Sequence, residues 1–144
     1  MEWHRDSPDP PDLLPRQEKV EKMLAWLSST RSPMKQVDWR VYFDGVDDQG
    51  SLRTSTVHAC LSLVQYFERR ARGRMIRPSR MLVYKTVRRL LGWRGDTGAN
   101  LRTTWEALVR FGAPPEHVWP YDAVHLDQEP DAFAYAYHLE YESI

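Results

Sequence analysis

Asp48-Gln49-Gly50-Ser51-Leu52-Arg53-Thr54-Ser55 is the stretch on which the reading of the 144-residue chain turns. It runs directly into a segment, from Ser55 to about Arg70, whose apolar positions Val57, Cys60, Leu61, Leu63, Val64 and Phe67 cover more than one helical face. A helix of that kind is expected to be largely buried and to form the core. A polar loop feeding the N-terminus of a buried helix is the placement an acyl-transfer site uses. A nucleophile there gains from free backbone N–H groups and the positive end of the helix dipole, and a nearby glutamine amide can donate to an oxyanion.

Working outward toward the N-terminus, Val20, Met23, Leu24 and Leu27 fall at i, i+3, i+4, i+7. This spacing predicts an amphipathic helix over about 16–29 that needs a surface to dock on. Residues 1–15 hold four of the ten prolines among acidic residues, a composition expected to leave a disordered leader. Ser32-Pro33 ends the first helix, and an irregular stretch with the turn-forming Asp44-Gly45 leads to Asp48. Toward the C-terminus, Val83, Val87, Leu90 and Leu91 make a third helical stripe opened by Pro78-Ser79. Leu101, Trp105, Leu108 and Val109 make a fourth, stopped by Gly112 and Pro114-Pro115. Trp119-Pro120-Tyr121-Asp122 reads as a turn, and Phe133, Tyr135 and Tyr137 mark a short apolar stretch.

The length fits one compact domain. A single cysteine, Cys60, excludes an intrachain disulfide and multi-cysteine metal patterns, and it points to a reducing, cytoplasmic setting. Cys60 lies in an apolar run and reads as core. No segment has the roughly 20 apolar residues of a membrane span. The histidines are not spaced as metal ligands, so no metal and no cofactor is expected. The formal net charge of +0 hides a segregation: residues 69–110 carry twelve Lys/Arg against two Asp/Glu, and residues 111–144 none against seven. The basic stretch can fold back on the acidic tail or present a surface to an acidic partner. Arg69, Arg70, Arg72, Arg74, Arg77 and Arg80 are the candidate surface. Aromatic side chains are not interleaved among them as stacking platforms require, which argues against nucleic acid.

Taken in order, the motifs resemble those of the papain-like cysteine peptidases, in particular a bacterial branch with a D-Q-G-S-L-G-S-C-T-A signature. Asp48-Gln49-Gly50-Ser51-Leu52 matches that signature, Val37-Asp38-Trp39-Arg40 is similar to its opening strand motif, and Pro78-Ser79-Arg80 with Tyr84 is similar to P-S-R-L-x-x-Y. Asp96-Thr97-Gly98-Ala99 resembles the D-x-G-A loop, and Trp119-Pro120-Tyr121-Asp122 matches W-P-Y-D. The resemblance implies an α+β, predominantly α, left lobe over residues 36–144, preceded by a helix and linker over 16–35. It implies that Gln49 holds the oxyanion-hole position and Ser55 that of the nucleophilic cysteine. By the same resemblance, Asp96, Thr97, Gly98 and Ala99 form the loop whose backbone pairs with an extended peptide.

The departures set the functional expectation. A thiol near pKa 8.5 can be drawn to thiolate by a helix N-terminus and an imidazolium, whereas the Ser55 hydroxyl cannot. Arg53 replaces a glycine beside it. The sequence ends at Ile144, before the β-rich right lobe from which the family takes its catalytic histidine. His58, at i+3 from Ser55, is a surrogate base or a helix residue tucked into a groove, and no acidic residue at a fitting helical position orients it. The expectation is a catalytically inactive pseudopeptidase acting as a peptide- or protein-binding module, with a partner or a second copy over the surface left by the missing lobe. The alternatives are part of a working cysteine peptidase, with Cys at 55 replaced by Ser and the histidine lobe missing or on another chain, and a basic scaffold for an acidic partner or nucleic acid.

Overall fold

Ser55 opens a helix that packs against the next two helices. The computed structural model describes residues 4–9, 17–30 and 35–137. These contain α1 (Glu18–Thr30), α2 (Ser55–Arg72), α3 (Arg80–Leu90), α4 (Leu101–Phe111) and α5 (Ala132–Ala136), with single 3-10 turns at Arg40–Tyr42 and Ala123–His125. The predominantly α class holds, and no strand occurs among the described residues. Val37–Trp39, matched to a strand motif, forms none, and the chain passes into the 3-10 turn at Arg40 instead. The only ladder-like pairing described is an isolated antiparallel bridge between Pro78 and Pro115.

The chain divides into two units, residues 7–39 and residues 40 onward joined by residues 4–6. In the first, α1 keeps Met23, Leu24, Trp26 and Leu27 exposed. The second holds the core. Gly73, at φ 67, closes α2 by donating its N–H to the Arg69 carbonyl, in the left-handed conformation glycine adopts without steric cost. Ser79 caps α3 by accepting the Leu82 N–H at 3.2 Å, and Asn100 caps α4 by accepting the Thr103 N–H at 2.8 Å. Val57 and Leu61 of α2 interlock with Met81, Val83, Tyr84 and Val87 of α3 and Ala107 of α4. Burying each of the larger side chains contributes about 1.5–3 kcal/mol. The expectation that α2 is buried on most faces is corrected: Leu63 and Phe67 are 47% and 60% exposed, because α3 and α4 both pack on the side that carries Val57 and Leu61.

Residues 4–6, within the expected leader, make specific contacts. His4 Nε2 lies 2.9 Å from the Thr97 carbonyl, its ring packs edge-on against Trp93, and the Asp6 carboxylate accepts the Arg102 N–H at 3.3 Å. Residues 10–15 lie outside the described residues. Among those described, no helix is long and apolar enough to cross a membrane.

Candidate functional site

The loop before α2 is bound at nearly every residue. Asp48 accepts the Gly50 N–H at 2.8 Å, an Asx turn that sets up the left-handed Gly50 at φ 58. Gln49 Nε2 donates to the Leu52 carbonyl at 2.9 Å, so the amide matched to the oxyanion donor is held by its own loop. The Arg53 N–H donates to both oxygens of Asp96, at 2.9 and 3.1 Å. Tyr121 donates its phenolic proton to the Gln49 carbonyl at 2.8 Å, which makes Thr54 Oγ1 the donor in its 2.6 Å contact with the same phenol. Thr54 therefore gives α2 no side-chain cap, and the N–H groups of the first turn are left without one.

Ser55 is the first residue of α2, in the place the sequence assigned to a nucleophile. His58 does not serve it. The imidazole is 9% exposed, sits edge-on to Tyr121 with centroids 5.1 Å apart, and brings Nδ1 within 3.1 Å of the Thr54 carbonyl. A carbonyl only accepts, so Nδ1 carries the proton, and Nε2 is buried with no hydrogen-bond partner. Burial holds the ring below the usual imidazole range, with the bond to Thr54 opposing. No Ser–His pair is formed. Cys60 is buried among apolar atoms, which pushes its thiol up to about 11.

Across from this loop, Asp96 also accepts the Tyr84 phenol at 2.7 Å, and that phenol accepts the Gly98 N–H at 2.8 Å. Ala99 gives its carbonyl to Thr56 Oγ1 at 3.0 Å, and the Thr97 carbonyl meets His4. The Asp96–Ala99 loop thus stands beside the Ser55 loop, joined to it by the Asp96 carboxylate and the Arg53 N–H. Four of its backbone groups are already bonded within the chain, however, the Thr97 N–H to the Gly95 carbonyl at 3.1 Å among them and also the Gly98 N–H on which strand-like pairing with a peptide would rely. Gly98 is also needed for its left-handed φ of 86.

The six arginines do not form one free surface. Arg80 is a correction: its side chain is 3% exposed, paired with Asp47 and lying 3.8 Å from Glu116. Arg77 pairs with Asp47 at 2.9 Å, Arg72 and Arg74 pair with the buried Glu68 at 3.3 and 2.9 Å, and Arg70 donates to the Tyr66 hydroxyl. Arg69 is half-buried. Asp47 and Glu116 carried no sequence signal. Glu116 binds the Arg80 and Tyr121 N–H groups at 3.2 and 2.6 Å, and burial raises its carboxyl above the ordinary range. Two cavities, of about 310 and 630 Å³, open along α3 near Arg89 and are lined by none of the recognised loops.

No family model matches the chain. It is 31% identical over 90 residues to an uncharacterized peptidase C1-like protein of Acanthamoeba polyphaga mimivirus, a match covering 61% of this chain and 29% of the viral protein. Xylellain, a cysteine protease from Xylella fastidiosa, superposes with a TM-score of 0.59 at 26% identity, over 66% of this chain and 41% of that one. The chain therefore spans well under half the length of either. Weak homology and shared fold together support the papain-like cysteine peptidase family, and the helical architecture is consistent with the left lobe of that fold.

Proposed function

We propose that this chain is a papain-like pseudopeptidase domain that binds peptide or protein segments without cleaving them. The reading is carried by one observation. Ser55 stands where the resemblance puts a thiolate, and the nearest imidazole on its own helix, His58, gives its Nδ1 proton to a backbone carbonyl. Gln49 likewise commits one of its two Nε2 protons to its own loop. What the site retains is a polar loop at the uncapped start of α2, hydrogen-bonded to the Asp96–Ala99 loop. The exposed Leu63 and Phe67 on α2 supply an apolar face for a protein partner or a second copy.

A second reading is favoured by the coverage: both matched proteins are longer than the region shared with this chain. On that reading the chain is one lobe of a cysteine peptidase, carrying Ser in place of Cys at 55, and a histidine comes from further sequence or another chain. One experiment separates the two. The purified protein is incubated under reductant with fluorogenic peptides and with reduced, carboxymethylated casein. No turnover is expected from the native chain or from Ser55→Cys, together with measurable association of the casein. Turnover abolished by Ser55→Ala would overturn the proposal, and absence of casein association would remove its binding half. Hydrolysis by Ser55→Cys when a second chain carrying the histidine is supplied would establish the second reading.

A further inference from the structure

We propose that Tyr84 is the positioning residue that couples the two loops beside Ser55, so that the loop ending at Ser55 and the loop Asp96–Ala99 hold or lose their geometry together. The inference rests on the pseudopeptidase reading only for what the two loops are used for. The coupling itself stands on the hydrogen-bond chain.

That chain has one possible direction. The Gly98 N–H can only donate, so the Tyr84 oxygen accepts it at 2.8 Å. The phenol's single proton is then committed to Asp96 Oδ1 at 2.7 Å. The same carboxylate accepts the Arg53 N–H, two residues before Ser55. One loop is thus joined to the other through one phenol and one carboxylate, and hydrogen bonds ending on a carboxylate are stronger than neutral ones. The ring has little freedom to turn. It is 0% exposed in α3, and the Arg88 guanidinium lies 4.6 Å over its face. Arg88 is itself tied to the Gly95 carbonyl at 2.6 Å, which places the residue next to Asp96 in the same assembly. Burial and the Asp96 bond push the phenol up to about 12, in keeping with a proton held on the oxygen.

The test is residue-resolved amide exchange on the whole chain. In Tyr84→Phe the Gly98 and Arg53 amides are expected to exchange at least about tenfold faster, while amides in the middle of α2 and α4 keep their rates. Uniform acceleration of all core amides would make Tyr84 a packing residue only and overturn the proposal. So would an unchanged Gly98. Asp96→Asn keeps the side-chain shape and serves if Tyr84→Phe does not fold. There Arg53, which loses its carboxylate acceptor, and Gly98 are expected to lose protection together; loss at one alone, or at neither, overturns the coupling. Casein association, measured on the same variants, should fall with Arg53 and Gly98 protection. If the native chain does not bind casein at all, the binding reading fails, and the exchange data still decide the coupling.

Discussion

At the scale of single residues, the site is governed by groups whose charge states are set by burial. His58 is held below the usual imidazole range and is neutral in the folded chain near neutral pH. Its unfolded counterpart takes up a proton near pH 6.5, so the unfolded state binds more protons below that value and stability falls as the pH drops. His58→Asn keeps an N–H for the Thr54 carbonyl and removes the titration. Urea midpoints between pH 7 and 5 are expected to fall less steeply in this variant than in the native chain; equal slopes would show that His58 does not titrate in that window. Tyr84 has the opposite sign. With a folded pKa of about 12 against 10 unfolded, its contribution is present below pH 10 and lost as the pH rises toward 12. Comparing the native chain with Tyr84→Phe across that window cancels the parallel contribution of Tyr135, which is also raised to about 12. A steeper alkaline loss in the native chain is expected.

At the scale of elements, the caps explain why the helices begin where they do. Pro78-Ser79 marked the start of α3 in the sequence, and Ser79 does cap it, but the same hydroxyl also donates to the Trp119 carbonyl at 2.5 Å. A cap that also ties down the turn after α4 should cost more to lose than a simple one. Asn100→Ala is expected to destabilise by about 1 kcal/mol, within the usual range for such caps. Ser79→Ala should approach about 2 kcal/mol, since it leaves a part-buried carbonyl unpaired as well. Equal losses in chemical denaturation would mean that the Trp119 bond carries no weight. The apolar spacing located all four longer helices to within a few residues. It could not say which side of α2 would be covered, because that depends on where α3 and α4 dock.

At the scale of the whole molecule, the segregated charge closes on itself. Basic α3 meets the acidic stretch that follows α4: Arg80 faces Glu116, Arg88 pairs with Asp127 at 3.0 Å, and Lys85 and Arg89 share Glu129 at 3.1 and 3.2 Å. These pairs are unequal. Arg80 is buried, and replacing it by Met leaves Asp47 with Arg77 alone and Glu116 with only its backbone N–H donors, so a loss of about 3 kcal/mol is expected. Arg110→Ala breaks an exposed i,i+4 pair with Glu106 and should cost under about 0.5 kcal/mol. Thermal denaturation of both variants checks this contrast, and comparable losses would refute it.

The order of motifs along the sequence determined the helical class, the helix positions and the place of Ser55, because apolar periodicity and cap residues act within a few residues of one another. It also determined that position 55 offers a hydroxyl and not a thiol, which is covalent chemistry that no packing changes. Only the tertiary structure decided how the polar groups were used. That the Gly98 N–H is spent on Tyr84, Gln49 on Leu52, and Arg80 on Asp47 follows from contacts between residues far apart in the chain or turned by a loop. The reason is physical: a buried donor must find an acceptor, and which acceptor lies within 3 Å is fixed only when the helices have packed.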